Sequence, residues 1–208
     1  LREIKLLEDL GFYDIKISLK ASDIQRTLRA YQLLARRVDY PFHAGITEAG
    51  TMFRGSLKSV AGLSLLIREG LADTIRVSLT APPEKEVEVA NLLLQDLGLK
   101  KTGINFISCP GCGRSQVDIQ KLATQVEKRI SAIKSSITVA VMGCPVNGPG
   151  EAKEADLGVA GGQGTGIIFK KGKVVKKVPA DKIVDELVKE VFKLLDENRE
   201  AEEGNNHD

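Results

Sequence analysis

Tryptophan is absent from this sequence, and the aromatic share is only 4%. That argues against recognition of single-stranded nucleic acid by stacked bases. Neither sign of charge dominates: 30 Lys+Arg against 28 Asp+Glu leave a formal net charge of +2. No nucleic-acid or membrane-surface affinity from bulk charge is therefore expected. No apolar run reaches the ~18 residues of a membrane span, and no charged-then-apolar leader announces export. Cysteine is scarce too. Cys109, Cys112 and Cys144 are the only three, an odd count that makes a poor disulfide framework and points to a cytoplasmic protein.

What remains is ordinary globular composition, 42% hydrophobic and 28% charged over 208 residues, a length comfortable for two domains. The chain opens at Leu1, already inside a helix-like run, LREIKLLEDLG, and is expected to be a piece of something longer.

The first hundred or so residues repeat one supersecondary unit. Short apolar, β-rich runs stand at Ile15–Leu19, Phe42–Ile46, Thr74–Leu79 and Ile104–Ile107. Between them lie stretches of helical period, carried by Ile24, Leu28, Tyr31, Leu34 and Ala35, then Val60, Leu63, Leu66 and Ile67, then Val87, Ala90, Leu94 and Leu97. Ser22 is the expected N-cap of the first helix, with Gly70 and Gly98 as stops after the other two. Strand-to-strand spacing of about thirty residues predicts parallel βα units, either half of a (β/α)₈ barrel or a small open sheet. Polar residues gather at the C-terminal ends of the runs: Lys20, Glu48, Arg76, Ser78 and Asn105. In both architectures ligands bind at that end.

After Cys109 the character changes. A Gly/Pro-rich connector, CPGCGRS, precedes an amphipathic helix over about Gln116–Ile133 and a strand at Ile137–Met142. A second Gly/Pro loop, GCPVNGPGEA, leads to a strand near Leu157–Ala160. The stretch GGQGTG precedes β-type residues rather than a helix, so it reads as a turn and not a phosphate loop. A hairpin with Lys171-Gly172 at its turn follows, and then a final helix from about Ala180 to Asn198. The lysine-rich hairpin reads as a protected sheet edge, with docking of an acidic electron donor as the other reading. The domain boundary is expected near Ser108–Gly113, giving residues 1–108 and 109–208.

The chemistry concentrates in the cysteines. Two thiolates spaced C-x-x-C in a Gly/Pro turn point the same way and leave backbone N–H groups free to bond sulfur. Zinc prefers a closed set of four ligands, and only His43 and His207 are available to complete one. Iron–sulfur, structural zinc and unligated thiols all remain open on spacing alone.

The segments KASD (Lys20–Asp23), GITEAG (Gly45–Gly50), DTIRVSL (Asp73–Leu79), GINFISCPGCGR (Gly103–Arg114) and GCPVNGPGEA (Gly143–Ala152) occur in this order. Together they resemble the 4-hydroxy-3-methylbut-2-enyl diphosphate synthase family (IspG/GcpE). The resemblance implies an α/β protein: residues 1–108 as the second half of a (β/α)₈ TIM barrel, and 109–208 as a smaller α/β iron–sulfur domain. It implies a 4Fe-4S cluster ligated by Cys109, Cys112 and Cys144, with Glu151 as fourth ligand. Lys20, Arg76 and Ser78 would contact a cyclic diphosphate substrate, Arg by a bidentate fork. Glu48 fits proton or hydroxyl handling better than phosphate contact, and Asn147 is placed by its loop to bond substrate or Glu151.

The implied reaction is the reductive ring-opening and dehydration of 2-C-methyl-D-erythritol 2,4-cyclodiphosphate, in the methylerythritol phosphate route to isoprenoids. A ferredoxin or flavodoxin donor and a homodimer are implied as well. The competing class is a non-catalytic iron–sulfur electron-transfer or scaffold module. It would need four cysteine ligands and no ligand-facing basic residues, which this sequence does not match.

Overall fold

The computed structural model describes residues 1–145, 150 and 152–205, with the side chains of 202–205 outside the description. The chain divides into two compact units, Leu1–Lys100 and Lys101–Asp208.

The first unit alternates helices with very short strands. Helices α1 (Arg2–Asp9), α2 (Ile24–Ala35), α3 (Met52–Arg68) and α4 (Pro83–Asp96) interleave with β1 (His43–Gly45) and β2 (Thr74–Arg76). All strand contacts here are parallel. β1 and β2 pair in the register His43↔Thr74, Ala44↔Ile75, Gly45↔Arg76. Single parallel bridges join Ile17 to Phe42 and Thr51 to Thr80. The run Ile15–Leu19 thus contributes a bridge rather than a full strand. Parallel neighbours need a crossover: α2 carries the chain from the Ile17 run to β1, and α3 from β1 to β2.

The cap of α2 is Asp23, one residue past the expected Ser22. Its carboxylate accepts from the Arg26 N–H at 2.6 Å, satisfying a first-turn donor. Gly70 and Gly98, both at φ +70°, end α3 and α4 as expected. The core lies on the helix side of the strands, where Ile17, Phe42, Ala44 and Val77 pack with Tyr31, Leu63, Leu66, Val89 and Leu93.

The second unit is built on a five-stranded sheet of order β3-β4-β5-β6-β7. Its strands are β3 (Asn105–Ser108), β4 (Thr138–Met142), β5 (Leu157–Gly162), β6 (Thr165–Lys170) and β7 (Lys173–Pro179). The first three are mutually parallel, and β6 and β7 run antiparallel to their neighbours. Helix α5 (Ile119–Ile130) makes the β3-to-β4 crossover. A short 3₁₀ turn, Ala180–Lys182, starts the last helix, α6 (Ile183–Asn205). Strand β4 is buried on both sides. Val139 and Val141 join α5 and α6 in the main core, and Ala140 and Met142 pack with Ala152, Ala155, Ala160 and Phe169 behind it. That explains its uninterrupted apolar run, TVAVM.

Two sequence expectations change here. The run at Ile104–Ile107, expected as a fourth barrel strand, is β3, the first strand of the second sheet, hydrogen-bonded to β4. The division of the chain correspondingly falls at Lys100/Lys101 rather than at 108/109. A four-residue apolar run advertises a strand but not its partner. The partner is set by the α5 crossover, which returns β4 alongside it. The two expected hairpin turns are present: Gln163-Gly164 between β5 and β6, and Lys171-Gly172 between β6 and β7. Lys171 (φ +48°) and Gly172 (φ +74°) are both left-handed, as a two-residue hairpin turn matching strand twist requires. Strand β7 is the sheet edge, consistent with lysines guarding it. Among the described residues no helix is long and apolar enough to cross a membrane.

Candidate functional site

In the first unit the two-residue alternation of strands sorts side chains between faces. Ile17, Phe42 and Ala44 point into the helix-covered core. The opposite face then carries Lys16, Ser18 and Lys20 from the first run, His43 and Gly45 from β1, and Thr74, Arg76 and Ser78 from β2 and its extension. Three of the expected substrate contacts, Lys20, Arg76 and Ser78, therefore share one face. Lys20 is exposed, while Arg76 and Ser78 are half-buried.

Arg76 is held closely. A Cβ on Gly45 would meet the Arg76 carbonyl oxygen at 2.9 Å and Arg76 Nε at 3.4 Å, so glycine leaves the room the arginine side chain occupies. Among the described residues the buried Arg76 Nε has no hydrogen-bond partner, a donor waiting for an acceptor. Glu48, three residues past β1, is exposed and left-handed at φ +52°. A non-glycine residue there carries strain of a kind that clusters at functional sites.

Beside Arg76 stands His43, which the sequence marks only as a candidate metal ligand. His43 Nδ1 lies 2.8 Å from Thr74 Oγ1 across the β1–β2 pair. Burial, followed by the positive charges of Lys16, Arg76 and Lys20, holds its pKa below the usual 6.5. Its placement was readable from FHAGI, where alternation puts His43 on the side opposite Phe42 and Ala44. The strand is anchored from behind by Tyr31. That hydroxyl donates to the His43 carbonyl at 2.8 Å and accepts from the Leu19 N–H at 3.0 Å.

In the second unit the cysteines follow parallel strands. Ser108 of β3 is registered with Val141 of β4, so the C-P-G-C turn and the loop bearing Cys144 leave the sheet side by side. Cys109 is half-buried, Cys112 exposed and Cys144 buried. The Gly143 N–H donates to Cys109 Sγ at 3.2 Å, and the Arg114 N–H donates to Cys112 Sγ at 3.4 Å. Arg114, through its backbone and then its side chain, draws the Cys112 thiol below its ordinary pKa. Donors of this kind stabilise thiolate charge.

Ser115 ties the two loops together: its Oγ accepts from the Cys112 N–H at 3.1 Å and packs against Gly143, where a Cβ would meet it at 2.6 Å. Gln116 extends the tie, its N–H donating to the Gly143 carbonyl at 3.0 Å and its Oε1 accepting from the Gln163 N–H at 2.9 Å. The GGQG turn therefore walls the cysteine end of the sheet. Neither Ser115 nor Gln116 was singled out from sequence, since their role depends on Gly143 arriving from a strand thirty residues away.

The donor set suits a negatively charged metal–sulfur group, with three thiols at adjoining strand ends and backbone N–H groups on two of the sulfurs. Among the described residues the sulfurs are not gathered into a group of three ligands holding one metal ion. Glu151 and Asn147 lie outside the described residues. The lysine hairpin turn at Lys171-Gly172 stands at the opposite end of the sheet from the cysteines, since β6 returns from Thr165 at the cysteine end. That position favours the edge-guard reading over donor docking.

Fold and site together define a two-part α/β protein, one unit presenting a cationic strand face and the other three cysteines at the ends of parallel strands. Residues 1–91 match the GcpE TIM-barrel domain, and residues 105–193 match the GcpE protein C-terminal domain. The chain belongs to the GcpE family.

A Geobacter sulfurreducens protein named 4-hydroxy-3-methylbut-2-en-1-yl diphosphate synthase (flavodoxin) is 54% identical over 197 residues, covering 95% of this chain and 56% of that protein. Its namesake from Caldanaerobacter subterraneus subsp. tengcongensis is 55% identical over the same shares. Another from Clostridium acetobutylicum is 53% identical over 92% of this chain and 55% of its own length. The chain spans about half the length of the curated relatives it matches.

Proposed function

We propose that this chain is the substrate-anchoring and cluster-bearing portion of an iron–sulfur oxidoreductase that converts 2-C-methyl-D-erythritol 2,4-cyclodiphosphate to 4-hydroxy-3-methylbut-2-enyl diphosphate. Two electrons and two protons enter, a ring C–O bond to phosphate breaks, and one hydroxyl leaves as water. The first unit is read as the second half of a (β/α)₈ barrel. The observation that carries the reading is the pairing of β3 with β4, which sets the C-x-x-C turn beside the Cys144 loop with N–H donors on two sulfurs.

Cys109, Cys112, Cys144 and Glu151 would hold a 4Fe-4S cluster, which supplies the electrons when bound. Lys20 and Arg76 neutralise the diphosphate, with the orphaned Arg76 Nε as a ready donor. Ser78 and Asn147 add hydrogen bonds. Glu48, left-handed at φ +52° three residues past β1, would exchange a proton with the departing hydroxyl. The printed names of the relatives favour flavodoxin over ferredoxin as donor. Cytoplasmic residence and a homodimer complete the proposal.

Anaerobic reconstitution of the full-length protein should give near four iron per chain, bleached by air, and turnover of the cyclic diphosphate with a reduced flavodoxin. Cys109→Ser, Cys112→Ser and Cys144→Ser should each abolish the cluster. Glu151→Ala should keep much of the iron and lose most of the turnover. Stable zinc without iron would overturn the metal assignment, and an iron-loaded protein that leaves the cyclic diphosphate intact would overturn the activity. Mixing chains carrying Cys144→Ser with chains carrying Arg76→Ala tests the dimer, since rescue needs both subunits in one particle.

A further inference from the structure

The charged groups that act on His43 are all cations: Lys16 and Lys20 on the neighbouring run and Arg76 on β2. Among the described residues its side-chain partner is the Thr74 hydroxyl. A carboxylate in that place would hold the imidazole protonated. A hydroxyl does not choose: it donates to a bare Nδ1 and accepts from a protonated one. The imidazole is thus built to exist in either state, and the balance is set by three cations on the same strand face. Among the described residues the buried Nε of Arg76, on the same face, has no acceptor. An anion seated there reverses the field at the imidazole.

Resting on the proposed reading of this face as a diphosphate site, we infer that His43 is its proton-coupled element. Seating a diphosphate among Lys16, Lys20 and Arg76 converts the imidazole from neutral to protonated. The proton comes from solvent and settles on a ring nitrogen, and the Thr74 hydroxyl accommodates the change by reversing from donor to acceptor where Nδ1 takes it. Before binding, a neutral His43 avoids adding a fourth positive charge to a crowded face. After binding, it adds a cation facing the phosphates and holds a proton next to the reacting substrate. His43 is a positioning and charge-matching residue here.

The test is imidazole NMR on the full-length protein, with the His43 resonance assigned by difference from His43→Asn and inorganic pyrophosphate as the probe. The free protein should titrate below 6.5. Saturation with pyrophosphate should raise that midpoint by about one unit or more. Calorimetry in two buffers of different ionisation enthalpy should show proton uptake beyond that of His43→Asn, which isolates the imidazole from protonation of the probe itself. Lys20→Met should raise the midpoint of the free protein and shrink the shift on binding.

Pyrophosphate binding with an unmoved His43 midpoint overturns the inference and leaves the anion site standing. No pyrophosphate binding overturns both. A full shift in a protein that does not turn over the cyclic diphosphate supports the inference while sinking the proposed activity.

Discussion

The backbone N–H of Gly143, just past the end of β4, points at Cys109 Sγ from 3.2 Å. One hydrogen bond thus links the two cysteine loops across the β3–β4 pair, at a position where Ser115 leaves no room for a side chain on residue 143. A Cβ there would stand 2.6 Å from Ser115 Oγ and 3.2 Å from Ser115 Cβ. Gly143→Ala is therefore expected to force the loops apart at a cost of about 1–3 kcal/mol and to lower iron retained after anaerobic reconstitution. Gly143→Ala with Ser115→Gly should recover part of the lost stability, because the obstructing side chain is gone. Unchanged thermal stability and iron content in Gly143→Ala would show that the loops accommodate the methyl group freely.

Arg76 and Gly45 should behave as one unit in anion binding. Arg76→Lys keeps the charge but loses the planar fork and the buried Nε donor. Pyrophosphate affinity is expected to fall about ten- to hundredfold. Gly45→Ala, whose methyl group would press on the Arg76 carbonyl at 2.9 Å, should weaken binding in the same direction without changing charge. Isothermal calorimetry separates the two, and equal affinities for wild type and Arg76→Lys would contradict the assigned role.

Tyr31 is fully buried, packs edge-on against Phe42 with ring centroids 5.2 Å apart, and bonds two backbone groups through its hydroxyl. Tyr31→Phe keeps the packing and strips those partners from Leu19 N–H and the His43 carbonyl. A loss of about 1–3 kcal/mol is expected, read by urea unfolding. Pyrophosphate affinity should also drop, since the same hydroxyl ties the Lys20 run to β1.

Glu186 at the start of α6 is held by Lys176 of β7 and by Lys189, which bring its carboxyl down from 4.5 to about 2. The folded state thus prefers the ionised form more than the unfolded chain does. The stabilisation is complete above pH 4.5 and is lost as pH falls through about 2. Glu186→Gln should flatten the acid limb of stability against pH between those values and leave the profile above it unchanged in slope. Circular dichroism melts across that range check it, and an acid limb identical to wild type would count against the pairing.

Much of this molecule is legible in local pattern. Helical period located α2, α3 and α4, and short apolar, β-rich runs located β1, β2 and β4. The Lys-Gly turn announced the last hairpin because a two-residue turn needs left-handed backbone. Cap choice was less legible. Ser22 and Asp23 are both good N-caps, and only the path of the chain into α2 decides which carboxylate or hydroxyl meets the Arg26 N–H.

Residue type and spacing are properties of the chain alone, and they were enough to mark the C-x-x-C turn, the second cysteine loop and the polar ends of the strands. Partnership is not such a property. That β3 joins β4 instead of the strands before it, that Gly143 meets Cys109, and that His43 faces Thr74 beside Arg76 all depend on crossovers that return distant segments to one another. Each contact spans about thirty residues, far beyond the reach of helix or strand periodicity, and is selected by burying the apolar sides of α3 and α5 against the sheets. Chemistry-bearing residues were thus named by the sequence, while their joining into a thiolate-bearing strand end and a cationic face came from long-range packing.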